Sequence, residues 1–209
     1  MSMPAPQSSV QVSVIMVTYK TGPVLWRAID SVLAQQARFE LIIVDNGNPP
    51  DVSDRLRLIE QEHAHIHIVS GHGNIGFARA CNLGAGSARG QYLLFMNPDC
   101  VLFPDCIAQF LAAASQLPEG SLLGGDLLNA KGERCANTQR EFATPWRLVV
   151  ESLRLYKLAP RHPYFKRLRS DIDLPAESLT RTSAVSGALM FLSQDMFKDD
   201  WRDFQALES

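Results

Sequence analysis

Two acidic residues stand where chemistry is easiest to place. Asp45 closes the apolar run of residues 41–44, and Asp99 follows Asn97-Pro98 directly after the run of residues 91–96. A carboxylate at the end of a strand can accept hydrogen bonds from a base N–H or a ribose hydroxyl. A carboxylate with a neighbouring amide oxygen can hold magnesium, which needs only one or two protein oxygens when substrate phosphates and water complete its octahedron. Two such loops at neighbouring strand ends suit a nucleotide with a metal-bound diphosphate. Taken singly, each Asp reads equally well as a turn residue capping the helix that follows.

The elements that must position these acids follow from periodicity. Residues 10–17 are rich in β-branched side chains and run into the polar break Thr18-Tyr19-Lys20-Thr21-Gly22-Pro23, which ends a strand. Leu25, Ala28, Ile29, Val32 and Leu33 then recur at helical spacing. Residues 41–44 read as a second strand, 52–63 as a second helix and 65–69 as a third strand. Phe77, Cys81, Gly84 or Ala85, and Ala88 give a third helix one small apolar face for close packing on a sheet. Residues 91–96 form a fourth strand, Pro104 stands where a fourth helix begins, and Leu122-Leu123 suggest another strand. The run 185–192 reads as one more strand, and 146–158 as a helix before Pro160 and Pro163. Alternating strands and helices predict an α/β fold: a mainly parallel sheet with helices on both faces and right-handed crossovers. Ligands of such sheets lie outside the carboxyl ends of the strands. That selects the loops 18–20, 45–48 and 97–99.

The whole chain narrows the classes. Its 209 residues suffice for one sizeable domain, and 46% hydrophobic residues exclude a disordered chain. A net charge of -2 gives no general attraction to nucleic acid, so none is expected as a partner. Cys81, Cys100, Cys106 and Cys135 form no Cys-x-x-Cys pair, and they read as buried thiols in a reducing compartment. The first nine residues hold no cation and no apolar core, and no apolar run is long enough for a bilayer. A cytoplasmic location is expected. The basic run from Arg154 to Arg169, interleaved with Tyr156, Tyr164 and Phe165, reads first as a solvated linker, and otherwise as a segment for peripheral contact with the inner face of a membrane or with a diphosphate-linked lipid acceptor. His63, His65 and His67 alternate along one strand face and read as a solvent-facing row with no ligand role. No Gly-x-Gly-x-x-Gly, P-loop or Gly-x-Ser-x-Gly is present, which counts against dehydrogenases, P-loop ATPases and α/β-hydrolases.

Five segments carry a resemblance: Val14-Ile15-Met16-Val17-Thr18-Tyr19-Lys20, Ile42-Ile43-Val44-Asp45-Asn46-Gly47, the stretch from Asn74 to Gly84, the stretch from Ala88 to Asp99, and Val185-Ser186-Gly187-Ala188-Leu189-Met190. In order and spacing, from Val12 to about Phe197, they resemble family 2 glycosyltransferases of the GT-A fold, especially the rhamnosyltransferase-like branch. The resemblance implies that Thr18 and Tyr19 line a nucleotide site, that Asp45 binds the base, and that Asn74, Gly76 and Asn82 shape the pocket between nucleotide and sugar. It implies Gly187 on the donor side, and Asp99 as the holder of Mg²⁺ or Mn²⁺ with Asn97 in place of a first acid. A dTDP- or UDP-sugar would be the donor, and a saccharide or lipid-diphosphate-linked chain the acceptor. The expected organisation is a tail over 1–11, a nucleotide-sugar-binding domain over 12–137, an acceptor-side region with the basic insertion over 138–197, and a polar tail over 198–209. The expected Gly-Gly-Phe-Asp turn and acidic pair do not follow Phe197. Asp199, Asp200 and Asp203 stand there instead, so the catalytic base is unassigned and a chain shortened before its base region is expected.

Overall fold

The computed structural model describes residues 10–135, 139–140, 179–182 and 184–198. The helix expected over 146–158, the basic run and the three late aspartates lie outside them. The chain divides into two compact units, residues 1–123 with 187–209, and residues 124–186.

In the first unit the chain runs through β1 (Val12–Thr18), α1 (Val24–Leu33), β2 (Phe39–Asp45), α2 (Pro50–Glu62), β3 (Ile66–Val69), α3 (Phe77–Gly86), β4 (Tyr92–Met96) and α4 (Cys106–Ala114). β5 (Leu123–Gly124) straddles the boundary between the units. In the second unit β6 (Gln139–Arg140) pairs antiparallel with β7 (Ala184–Val185), and the chain re-enters the first unit for β8 (Leu189–Ser193). The main sheet is ordered β3-β2-β1-β4-β8 with β5 at its edge. β3, β2, β1 and β4 are mutually parallel, while β8 runs antiparallel to β4. The expected mainly parallel α/β sheet is the observed one. The apolar run 185–192 is two strands rather than one, because Gly187 and Ala188 form a turn between β7 and β8.

β1 lies mid-sheet and every one of its seven residues is buried, as a parallel strand covered on both faces requires. On one face, α3 packs Ala80, Cys81 and Ala85 against Ile15, Val17, Val44, Leu93 and Phe95. It approaches so closely at Gly84 that a Cβ there would lie 2.7 Å from Ile15 Cγ2. On the other face Phe110 of α4 stacks on Phe191 of β8, which stacks in turn on Tyr92 of β4. Burial pushes the Cys81 thiol up to about 12 and the Cys106 thiol up to about 11, so both behave as inert packing groups.

The amino ends of the strands are clasped by a buried acid. Glu40 Oε1 accepts from Ser13 Oγ at 2.6 Å and from the Arg89 backbone N–H at 2.7 Å. Its Oε2 accepts from Arg89 Nε and NH2. Arg89 NH2 also donates to His67 Nε2 at 2.7 Å. His67 therefore serves this clasp rather than standing in a purely solvent-facing row. The opposite, carboxyl edge of the sheet is left to the loops.

Candidate nucleotide-binding pocket

Three loops at that edge are stitched together by asparagines. Asn46 donates from Nδ2 to Asn74 Oδ1 at 3.2 Å and accepts at Oδ1 from the Ile75 N–H at 3.1 Å, tying the loop after β2 to the loop after β3. Asn74 Oδ1 also accepts from the Gly76 N–H. Gly76 has φ +83, which an L-residue adopts only at a cost, and lets the chain turn straight into α3. Asn48 donates to the Thr18 carbonyl and accepts from the Lys20 N–H at 2.7 Å, joining the loops after β1 and β2. After β4, the Asn97 N–H donates to the Ala188 carbonyl and the Asn97 carbonyl accepts from the Cys100 N–H, which fixes the turn presenting Pro98 and Asp99.

These loops enclose an open pocket of about 560 Å³ lined by Val17, Tyr19, Thr21, Asn46, Asn74, Gly76, Phe77, Asn97, Pro98 and Asp99. Of the residues expected in the site, Tyr19, Asn74, Gly76, Asn97 and Asp99 are brought together there. Tyr19 and Phe77 are 44% and 49% exposed and give the pocket two aromatic surfaces. Hydrogen bonding from Lys20, then from Asn74, draws the Tyr19 phenol below its ordinary range. Asp99 is exposed and, among the described residues, is the only charged group in the lining. One carboxylate and one amide side chain in the same lining, Asp99 and Asn97, suit a divalent cation that takes its remaining ligands from phosphate and water. Among the described residues no group of three or more His, Cys, Asp or Glu could hold a metal by itself.

Four expected site residues do not line the pocket. Thr18 is fully buried, its hydroxyl 3.0 Å from that of Thr21. Asp45 is 6% exposed. Its Oδ1 accepts from the Gly47 and Asn48 N–H groups and from Asn48 Nδ2, while Oδ2 accepts from Ser53 Oγ. Desolvation pushes its carboxyl upward, but the bonds from Ser53, Asn48 and Gly47 outweigh it and hold the group below the usual carboxylate range. Asn82 sits partly buried on α3 with its Oδ1 unpartnered. Gly187 lies in the turn that ends beside Asn97 and has open space around its Cα. Sequence reasoning selected the loop 45–48 without singling out Asn46 within it, and it missed Phe77 as a pocket residue. Both were within reach of it, since one follows Asp45 directly and the other follows Gly76.

A mainly parallel sheet with its pocket beyond the carboxyl ends of the central strands is the architecture of GT-A glycosyltransferases, and solved members of that fold are its structural neighbours. Over residues 13–172 the chain matches the family model described as Glycosyl transferase family 2, and it belongs to that family. It is 28% identical over 101 residues to an uncharacterized glycosyltransferase of Haemophilus influenzae, covering 48% of this chain and 31% of that protein. It is 28% identical over 118 residues to a PGL/p-HBAD biosynthesis glycosyltransferase of Mycobacterium bovis, covering 56% of this chain and 46% of that protein. The TarS structure from S. aureus superposes with a TM-score of 0.59 at 14% identity, over 91% of this chain and 29% of that one. The chain spans less than half the length of these relatives.

Proposed function

We propose that the chain binds a nucleotide-diphosphate sugar and transfers the sugar to a hydroxyl of a saccharide or lipid-diphosphate-linked acceptor, with inversion. The observation that carries this reading is the meeting, in one pocket, of an exposed aromatic ring at Tyr19 with a lone carboxylate at Asp99. The ring offers a stacking surface for a nucleobase, and Asp99 with Asn97 would hold Mg²⁺ or Mn²⁺ against the diphosphate. The metal, when bound, supplies positive charge to the departing diphosphate. Asp45 keeps the base end in shape, and the remaining lone pair on its Oδ2 is the acceptor for a base N–H. Asn74 and Gly76 shape the space between nucleotide and sugar, and Asn82 and Gly187 flank it from α3 and the turn before β8. The donor is a dTDP- or UDP-sugar, with rhamnose as the sugar that the family branch suggests. In this reading residues 12–137 bind the donor and residues 138–197 face the acceptor. The basic run from Arg154 to Arg169 would bring the protein to the cytoplasmic face of a membrane; no described helix is long and apolar enough to cross one.

Transfer needs a base to take the acceptor's proton as its oxygen attacks the anomeric carbon and the bond to the diphosphate breaks. A second reading, a nucleotide-sugar-binding module without turnover, draws on one fact: among the described residues Asp99 is the only carboxylate in the pocket lining. Calorimetric titration with UDP and dTDP, with and without Mn²⁺, tests the donor site. Metal-dependent binding that Asp99→Ala abolishes is expected, and failure to bind either nucleotide would overturn the proposal. Release of nucleotide from donor in the presence of acceptor then separates enzyme from binding module.

A further inference from the structure

Lys20 was assigned no role by sequence, and its backbone is unusual. It is the one non-glycine residue at positive φ, +51, among the described residues. An L-residue in that conformation costs about 1 kcal/mol, so something must hold it. The holder is a relay: Asp45 Oδ1 accepts from Asn48 Nδ2 at 2.8 Å, and Asn48 Oδ1 accepts from the Lys20 N–H at 2.7 Å. A buried carboxylate thus fixes, through Asn48, the backbone from which an exposed cationic side chain leaves. Strain retained by such a relay is more often found where a side chain must be aimed than in an ordinary turn.

The side chain stands at the rim of the pocket, beside a lining ring. Lys20 lies between two lining residues, Tyr19 and Thr21, and its ammonium stands 5.1 Å from the centre of the Tyr19 ring. The sheet order places β1 beside β4, with β2 and β3 on the far side of β1. The crevice between the loops after β1 and β4 is therefore the switch point of the sheet, where open α/β sheets receive the phosphates of their ligands. Lys20 is on the loop that forms one wall of this crevice and Asp99 is on the loop that forms the other.

We infer that Lys20 grips the diphosphate of the donor, an inference that rests on the function proposed above. A sugar-linked diphosphate carries two negative charges, and a divalent cation held by a single carboxylate offsets one of them. Among the described residues the lining contributes no cation of its own. The ammonium balances the remaining charge, and it gains a further partner when the sugar leaves and the diphosphate takes up a third. An aimed cation of this kind stabilises the developing charge without reorganising. The ammonium rests against Tyr19, a weak contact that phosphate oxygens would replace.

The test is titration of the full chain with UDP, dTDP and their nucleosides in Mn²⁺, the nucleosides by competition, for wild type, Lys20→Met and Lys20→Arg. Lys20→Met is expected to weaken the diphosphates about tenfold, the worth of one hydrogen bond to a charged group, and to change the nucleosides less than twofold. Lys20→Arg is expected to restore most of the loss. Unchanged diphosphate affinity in Lys20→Met would overturn the inference while the proposed function stands. Equal loss for nucleoside and diphosphate would overturn it as well, since the lysine would then serve the base. A wild-type chain that binds neither diphosphate would overturn the function, and this inference with it.

Discussion

Asp45 and Asp99 look alike as letters, each an acid ending an apolar run, and they fold into opposite environments. Asp45 turns inward because Ser53, Gly47 and Asn48 offer it donors, while Asp99 stands exposed on the pocket wall behind Pro98. Their substitutions should part accordingly. Asp45→Ala leaves donors in the loop without an acceptor and is expected to cost about 1–3 kcal/mol, read as a lower melting temperature together with weaker nucleotide binding. Asp99→Ala is expected to leave stability within about 0.5 kcal/mol while removing the metal dependence of binding. The sequence names both acids but cannot tell which turns inward. That depends on partners such as Ser53, whose capture of a carboxylate is visible only once α2 is set beside β2. Asn46 follows Asp45 and so lies in a loop the sequence points to, but its bonds to Asn74 and Ile75, 28 and 29 residues on, are not visible there.

At the scale of elements, α3 is the part that joins core to site. Its small residues let it lie close on β1 and β2, and its first turn opens at Gly76 on the pocket. Gly84→Ala would press a methyl on Ile15 and Val44, two stiff β-branched neighbours, and is expected to cost about 1–3 kcal/mol in chemical denaturation. Gly76→Ala meets no neighbour but must hold φ +83. It is expected to cost about 1–2 kcal/mol, and to weaken nucleotide binding because the turn carrying Asn74 shifts with it. The four helices and the first four strands were legible because their apolar spacing is local. Helix α2 starts at Pro50 rather than Val52, proline being suited to a first helical turn. The break between β7 and β8 was not legible, since an apolar run does not show that its two halves pair with different partners.

For the molecule as a whole, stability and pH are linked through Glu40. Desolvation of this buried acid is outweighed by bonds from Ser13 and Arg89, which hold its carboxyl below the usual range, as with Asp45. A carboxyl lowered in the folded state stabilises fully above its unfolded value, about 4, and the contribution is lost as pH falls through the lowered folded value. Thermal melts are therefore expected to fall below about pH 4 through these two acids, after a shallower decline beginning near pH 6.5, because burial and then His63 and His67 hold the His65 imidazole below its ordinary value. Glu40→Gln is expected to cost about 2 kcal/mol at pH 7 and to flatten the acid limb. The pairing of β4 with β8 bears on how the chain is made. Residues 92–96 meet a partner at 189–193, so during synthesis at about 5–20 residues per second the finished edge of β4 waits on the order of 5–20 seconds for its neighbour. Through that interval the nascent sheet offers an open row of amides and carbonyls to any passing strand, and the cell's chaperones have most to protect there.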